Sequence, residues 1–459
     1  MPKRYHVPVA PTPPLFRPVG KYGTVDWRED CSRCKNCVKI QCVYGVYRAE
    51  QAYNIDPLLP LEPSFDCRAC LSCIQNCTKG LLSLSINPEY LALGDDYWRP
   101  DIIATTWDQA ENGRIPVSGA GYRGPFSGPG FDSIWTDMSE IVRPTRDGIH
   151  GREYISTSVD IGAKPRRLAF GTDGELAETA PLIEVPLPVL LDIPPWDPPS
   201  EAVTSARIAA AAALGTLTIV RPSDLAAAAP SHVSSLVPLF EWPDFAVHQS
   251  LLQRVRMVEI ADGPDALSYA ERLGTINPSV VVCARVRLEP AAIERAWALY
   301  GGGIKVIHLC ADTHGREIGA ERPRFVKDAL RGVHDRLVQE GVRDEVTLIV
   351  SGGIALAEHV AKAIICGADL VAVGLPLMVA LGCRVCSNDH DGSCPADIQS
   401  IDVSYAAQRM VNLMGAWHSQ LIEVLGAMGI REVRRLRGEV GRAMFQEDLE
   451  PEAFGDLGN

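Results

Sequence analysis

From about residue 185 to residue 375 the chain repeats one pattern, a short and almost unbroken apolar run followed by a longer stretch of helical spacing. The runs are VPLPVLLDI, LGTLTIV, VRMVEIA, SVVVCARVRL, IKVIHLC, VTLIVSGGI and DLVAVGL. A strand covered by helices on both faces of its sheet reads as a continuous apolar run rather than an alternating one. Strands that alternate with helices build right-handed βαβ units. About seven or eight such units predict an α/β fold of the (β/α)8 TIM-barrel type. Upstream, residues 86–150 keep no sustained period and are rich in Gly, Pro, Asp and Trp, including Trp98, Trp107, Trp135 and the stretch SGAGYRGPFSGPG. Several large aromatics argue against disorder, so an ordered but irregular connector is expected there.

The length of 459 residues allows about three domain-equivalents and a large core. A net charge of −13 opposes association with nucleic acid or acidic membranes. The longest small-apolar stretch, residues 208–220, is too short to span a bilayer, so no transmembrane segment is expected. The opening MPKRYHVPVAPTPPLF has no apolar core of the kind a secretory leader needs. A cytoplasmic protein is the expectation.

Within the repeating region, VTLIVSGGIALAEHVAKAIICGADLVAVGLPLM (346–378) carries the sharpest local signal. Ser351, Gly352 and Gly353 would end one strand, and Gly374 the next. Barrels of this type commonly bind phosphate on the loops after strands seven and eight, where glycines let backbone amides approach an anion. That placement suits the phosphate of a flavin mononucleotide (FMN). Equally, the glycines would serve only as tight strand-to-helix turns.

Eight of the fourteen cysteines stand in two N-terminal runs, Cys31, Cys34, Cys37, Cys42 and Cys67, Cys70, Cys73, Cys77. Each run has three thiols on one tight loop and a fourth just downstream, a spacing that resembles bacterial two-cluster ferredoxins. The resemblance implies two 4Fe-4S clusters with crossed fourth ligands: Cys31, Cys34, Cys37 and Cys77 for one, Cys67, Cys70, Cys73 and Cys42 for the other. Zinc prefers paired C-x2-C hooks, and a disulfide framework belongs to small secreted domains. Val43 and Thr78 follow the fourth cysteines where simple ferredoxins usually carry proline. Arg33, Lys35, Lys39 and Arg68 would raise the cluster potentials by favouring the more negative reduced state.

Directly after the glycine segment comes LGCRVCSNDHDGSCPADI, with Cys383, Cys386 and Cys394 inside twelve residues. Residues 346–397 resemble the flavin-binding synthase domain of glutamate synthase. The tail MGAWHSQLIEVLGAMGIREVRRLRGEVGRAMFQEDLEPEAFG, the segment GREYISTSVDIGAKPRRL and the double cysteine run are similar to archaeal-type members fused to a ferredoxin. The likeness is strong at both ends and weak over residues 185–285. It implies a ferredoxin-like domain at 1–95, a connector at 96–150, a barrel at 151–400 with a cluster segment at 383–394, and a C-terminal helical extension at 401–459. It also implies FMN and a third cluster, 3Fe-4S or 4Fe-4S. The family spacing C-x5-C-x4-C is kept by Cys383 and Cys394, but Asp389 stands at the middle position, followed by His390. Cys386 would then be the third thiolate, with Asp389 or His390 as a harder fourth ligand.

Other departures bear on function. The family's glycine-, lysine- and glutamine-rich segments, which cradle the flavin ring and bind 2-oxoglutarate, correspond to the shorter VRPSDLAAAAP and VEIADGPDALS. No glutaminase cysteine follows Met1. A dicarboxylate needs preorganised cations and amides, so glutamate formation by this chain alone is not expected. Arg285 or Arg287 stands where the family has a lysine near the flavin; Arg285 would stabilise reduced anionic flavin, or one of the two would face the helix layer in an ordinary ion pair. His308, Asp312, His314 and Arg316 would follow the next strand near the site, or be satisfied structural groups. Cys283, Cys310 and Cys366 read as buried apolar thiols.

The expected function is therefore an electron-transfer subunit of an oxidoreductase that works with other redox subunits as donor or acceptor. No stretch reads as a nicotinamide-binding unit, in which G-x-G-x-x-G opens a helix directly after a strand. A flavin-free barrel that docks the ferredoxin module, and a stand-alone amine-forming enzyme, are the competing readings. Cys34→Ala should remove one four-iron cluster and leave the barrel folded; unchanged iron and sulfide content would refute the ligand assignment.

Overall fold

A computed structural model of the chain describes residues 5–14, 19–25, 40–45, 67, 69–115, 128–136, 155–165, 167–176, 180–195, 200–227, 230–241, 245, 247–386, 396 and 398–449. The chain divides into two compact units. One comprises residues 1–12, 109–381 and 397–459, and the other residues 13–108 together with 382–396.

The larger unit is a closed eight-stranded parallel barrel. Its strands are β1 (Val189–Leu191), β2 (Thr218–Val220), β3 (Leu236–Phe240), β4 (Met257–Ala261), β5 (Val281–Arg287), β6 (Val306–Cys310), β7 (Thr347–Ser351) and β8 (Leu370–Val373). β8 pairs with β1 to close the ring. The seven apolar runs supply all but β3, and β3, β6, β7 and β8 are buried at every position. Helices α1 (Glu201–Leu214), α2 (Gln249–Leu252), α3 (Ala266–Ile276), α4 (Ala292–Gly301), α5 (Val326–Gln339), α6 (Ala357–Ile365) and α7 (Leu375–Ala380) follow the strands. The link from β2 to β3 has no α-helix, only 3-10 turns over Pro222–Ala227 and Pro230–Ser235, each opened by a proline. The alanine-rich stretch once measured against a bilayer is α1 and β2. Among the described residues no helix is long and apolar enough to cross a membrane.

Helix α8 (Val403–Ala427) begins where Asp402 accepts a hydrogen bond from the Tyr405 amide at 2.8 Å. It buries Ala406, Met410, Leu413, Met414, Trp417 and Leu421 against α1, α6 and α7. The small side chains of α1 let it approach closely. On the same helix buried Asn412 exchanges hydrogen bonds with Ala10 and donates to the Ala110 carbonyl, tying down the N-terminal strap.

An antiparallel hairpin, Val159–Gly162 with Leu182–Val185, crosses the N-terminal end of the barrel. The Thr347 hydroxyl, at the start of β7, donates to the Gly162 carbonyl at 2.9 Å and accepts from its amide at 3.2 Å. The same end holds a knot of buried charge. Asp369 accepts from Arg343 and Arg437, each at 2.8 Å, and from the Leu348 amide at 2.8 Å, with Lys164 at 3.9 Å. Arg343 also donates to the Val346 and Gly367 carbonyls.

In the smaller unit, Tyr22–Val25 pairs antiparallel with Ser83–Ile86. Short helices Ser72–Gln75 and Pro88–Leu91 flank the second strand. Helix Pro100–Asn112 lies in the segment for which no regular element was expected. Its Ile102, Ile103, Trp107 and Ala110 are buried, but so are Thr105, Thr106 and Gln109.

Burial opposes ionisation of Asp369, yet Arg343 and Arg437 hold its pKa at about 2. Because this lies below the unfolded value of about 3.9, the carboxylate's contribution to stability is complete above about pH 4 and is lost as pH falls towards about 2. Asp369→Asn should lower stability at neutral pH by about 3–5 kcal/mol, since it leaves Arg343 buried without its partner charge. Thermal unfolding of wild type and variant checks this, and the gap should narrow at acid pH.

Candidate functional site

Three successive strands each carry one polar side chain into the barrel. They are Glu259 on β4, Arg285 on β5 and His308 on β6, and Arg285 and His308 are register partners. A fourth, Asp192, follows β1 directly, its amide bonded to the Val373 carbonyl at 2.8 Å. β1 and β5 are four strands apart in a ring of eight, so they face each other across the lumen. Arg285 spans that gap. Its Nη1 and Nη2 donate to Asp192 Oδ1 and Oδ2 at 3.0 and 2.9 Å, and Nη1 also donates to Glu259 Oε2 at 3.1 Å. The other oxygen of Glu259 accepts from His308 Nδ1 at 2.5 Å. Asp192, Glu259 and His308 are buried, and Arg285 keeps 22% side-chain exposure.

These charges set one another. For Asp192, burial favours the acid, but Arg285 and His308 pull its pKa below the usual carboxylate value. For Arg285 burial opposes the charge, and Asp192, Cys310 and Glu259 more than restore it. The same contest holds His308 protonated, its pKa raised to about 10 by Cys310 and Glu259 against burial. The Cys283 thiol, 3.9 Å from Glu259 Oε1, is pushed well up by burial and by that carboxylate. Arg207 of α1 brings one more cation near Asp192 and Asp224. It is fully buried, donates to the Ile219 carbonyl at 2.7 Å, and has its pKa pulled down to about 10 by burial.

Arg285 therefore points into the lumen, whereas Arg287 is exposed and pairs with Glu289 at 3.4 Å. Asp312 accepts from the His314 and Arg316 amides at 2.9 and 2.8 Å, which makes these three residues one turn after β6. Ser351 is the buried last residue of β7. Gly352 and Gly353 follow with φ of 93° and 68°, values that glycine adopts without strain. A Cβ on Gly352 would lie 2.4 Å from the Asp312 carbonyl oxygen, and one on Gly374 2.5 Å from that of Ile193. The protein's own backbone thus accounts for both glycines.

In the smaller unit Cys42, Cys67 and Cys70 act on Cys73 electrostatically. The Cys73 thiol is pushed up to about 11 by burial and then by Cys67, with Cys70 and Cys42 adding to it. Cys77 Sγ accepts from the Leu81 amide at 3.3 Å. Burial acts against its thiolate, but the amides of Leu81, Lys79, Leu82 and Gly80 outweigh this and lower its pKa. Cys383 Sγ accepts from the Val385 amide at 3.3 Å, and the Arg384 carbonyl accepts from the Gly94 amide at 2.9 Å. Cys386 is half-buried. Among the described residues, the non-glycine residues with positive φ are Ala69, Leu71 and Val385, all between cysteines. Such backbone is costly, most of all for β-branched Val385. Cys31, Cys34, Cys37, Asp389, His390 and Cys394, and the basic Arg33, Lys35, Lys39 and Arg68, lie outside the described residues.

Asp132, Glu358 and His359 also converge closely enough for a cation. The Ala355 amide donates to His359 Nδ1 at 3.1 Å, so the ring proton sits on Nε2 and is donated to Asp132 at 2.9 Å. With its lone pair occupied in this way, the group is a structural tie rather than a metal site.

The comparisons point one way. Residues 324–431 match the family described as the conserved region in glutamate synthase. The archaeal-type glutamate synthase (NADPH) of Dehalococcoides mccartyi is 25% identical over 90% of this chain and 93% of its own length. The archaeal glutamate synthases (NADPH) of Archaeoglobus fulgidus and Methanocaldococcus jannaschii are 25% and 27% identical, over 95% and 90% of this chain and 96% and 92% of their own lengths. Among solved structures, a flavocytochrome b2 variant with pyruvate bound superposes with a TM-score of 0.45 at 13% identity, covering 74% of this chain and 82% of that one.

Arg285→Met should destabilise the protein by about 3–5 kcal/mol, because Asp192 and Glu259 would remain buried without their shared cation. Arg287→Met should change stability by less than about 0.5 kcal/mol. Denaturant unfolding of the two variants separates the lumen position from the surface one.

Proposed function

We propose, from the homology of nine-tenths of this chain to archaeal-type glutamate synthases, that the protein is an iron-sulfur flavoprotein oxidoreductase of glutamate synthase type. It serves as the electron-transfer subunit of a larger redox assembly and does not itself make glutamate. The observation that carries this reading is the left-handed backbone at Ala69 and Leu71, which lie between Cys67, Cys70 and Cys73. Such a loop, with Cys42 as the fourth ligand, suits one 4Fe-4S cluster. Cys31, Cys34, Cys37 and Cys77 would hold the second, and the amides around Cys77 favour its thiolate form. Cys383, Cys386 and Cys394 would hold the third.

FMN, when bound, would supply the step between one-electron and two-electron chemistry. Its place would be the C-terminal mouth of the barrel, with the phosphate on the loops of Ser351, Gly352, Gly353 and Gly374. The positive φ at Gly352 and Gly353 and the partial exposure of Gly352 and Gly374 agree with that place. Beneath it, the chain's own residues close the lumen: Arg285 crosses to Asp192, and Glu259 fixes the His308 ring. The same network argues against a dicarboxylate substrate. Arg285 is shared by two carboxylates, and Asp262 in the neighbouring loop is clamped by Arg295, so neither loop offers a preorganised cation for an acidic substrate.

A second reading has its own observation. The backbone contacts at Gly352 and Gly374 explain these glycines without a phosphate, as a barrel retained as a flavin-free scaffold would require. One anaerobic preparation tests both. About one FMN and about eleven or twelve iron atoms per chain are expected, with no glutamate formed from 2-oxoglutarate, a nitrogen donor and a chemical reductant. Full iron without FMN would establish the scaffold instead, and absence of iron or formation of glutamate would refute the first reading.

A further inference from the structure

One face of α5 grips the C-terminal segment at three points. Lys327, Arg331 and His334 stand at i, i+4 and i+7, so they share a face of the helix. Lys327 Nζ donates to Glu447 Oε1 at 2.6 Å, and the Arg331 guanidinium lies 4.6 Å from the centroid of the buried Phe445 ring. The third grip is His334 on Gly438. A Cβ on Gly438 would lie 2.6 Å from His334 Nε2, and one on Gly367 2.5 Å from His334 Cβ. The side chain is thus packed between two stretches of backbone that only glycine lets come so near. The Gly438 amide donates to the Ile364 carbonyl at 3.3 Å. One hydrogen bond fixes the protonation of the ring. Arg343 Nε donates to His334 Nδ1 at 3.0 Å, and the other nitrogens of this buried arginine are engaged by Asp369 and by the Val346 and Gly367 carbonyls. A guanidinium has no acceptor, so Nδ1 carries the lone pair and the ring is neutral.

We propose that His334 is a proton-operated latch: neutral, it holds the C-terminal segment 438–447 against α5, and on taking up a proton at Nδ1 it lets that segment go. Protonation sets two N–H donors of two cations face to face across 3.0 Å. One side must move. Arg343 is fixed by three further acceptors, one of them the Gly367 carbonyl, so the side that yields is Gly438. Charged groups face the ring from each element packed on it: Arg343 from the 3-10 turn Arg343–Glu345, Asp335 from α5, Arg437 from the C-terminal segment and Asp369 from the approach to β8. Burial and then Arg343, joined by Arg437, hold the His334 pKa below its usual 6.5 against the pull of Asp335 and Asp369. A folded value below the unfolded one means that the latch is complete above about pH 6.5 and is lost as the pH falls below it. Asp369, with its pKa at about 2, stays ionised throughout that range. The knot of Arg343, Arg437 and Asp369 therefore persists while its edge at Gly438 opens. The latch stands on the barrel and its C-terminal segment alone, independently of iron or flavin content.

Amide hydrogen exchange of the full chain, purified anaerobically, is followed by mass spectrometry at about pH 7.5 and about pH 5 and corrected for the intrinsic pH dependence of exchange. Peptides covering 438–447 should exchange at least about fivefold faster at the lower pH, since a proton bound tenfold more tightly by the open state raises its population by up to about tenfold. Peptides from β7 and α8 should keep their corrected rates, which general acid loosening would not allow. In His334→Gln the slow exchange should remain and its pH dependence vanish, because the glutamine Oε1 accepts from Arg343 but does not titrate. Equal exchange of 438–447 at both pH values in the wild type would overturn the latch, and so would an acid opening that persists in folded His334→Gln. Exchange of the imidazole C2 proton gives the His334 pKa in the wild type directly. It should lie below 6.5, and a value at or above 6.5 would overturn the latch even if the variant fails to fold.

Discussion

A single guanidinium reaches across the barrel, and the character of the site depends on it. Arg285 satisfies both oxygens of Asp192 on the opposite strand and one oxygen of Glu259 beside it. Glu259 in turn holds His308, so two anions and two cations balance in a volume from which water is largely excluded. Buried charge is tolerated only in such company, since the cost of desolvating each ion is repaid by close partners. The balance has a functional side. It holds His308 protonated against the burial that would otherwise favour the neutral ring.

The two ends of the barrel use ion pairs differently. At the N-terminal end Asp369 has every oxygen engaged, by Arg343, Arg437 and the Leu348 amide, which ties the hairpin side and the C-terminal segment to the strand starts. Such complete satisfaction suits a structural joint. At the C-terminal end His308 Nε2 remains unsatisfied. Incomplete hydrogen bonding in a buried place is expensive and marks where chemistry is accommodated. The cysteine loops show the same thing in the backbone. Ala69, Leu71 and Val385 accept a left-handed conformation between cysteines.

Much of this was legible in the residues. Near-continuous apolar runs at βαβ spacing specified a parallel barrel, because strands buried on both faces leave no alternation. Even the lumen network left a trace, for Glu259, Arg285 and His308 are single polar residues in otherwise apolar strands. What these residues meet was not legible. Arg285 and Asp192 are far apart in sequence and touch only because barrel closure sets β1 opposite β5. Sequence alone determined the local order of strands, helices and thiol loops, which short-range sterics and burial dictate. Only tertiary structure decided which buried charges became partners and which donor was left over, because those depend on distances that closure of the ring creates.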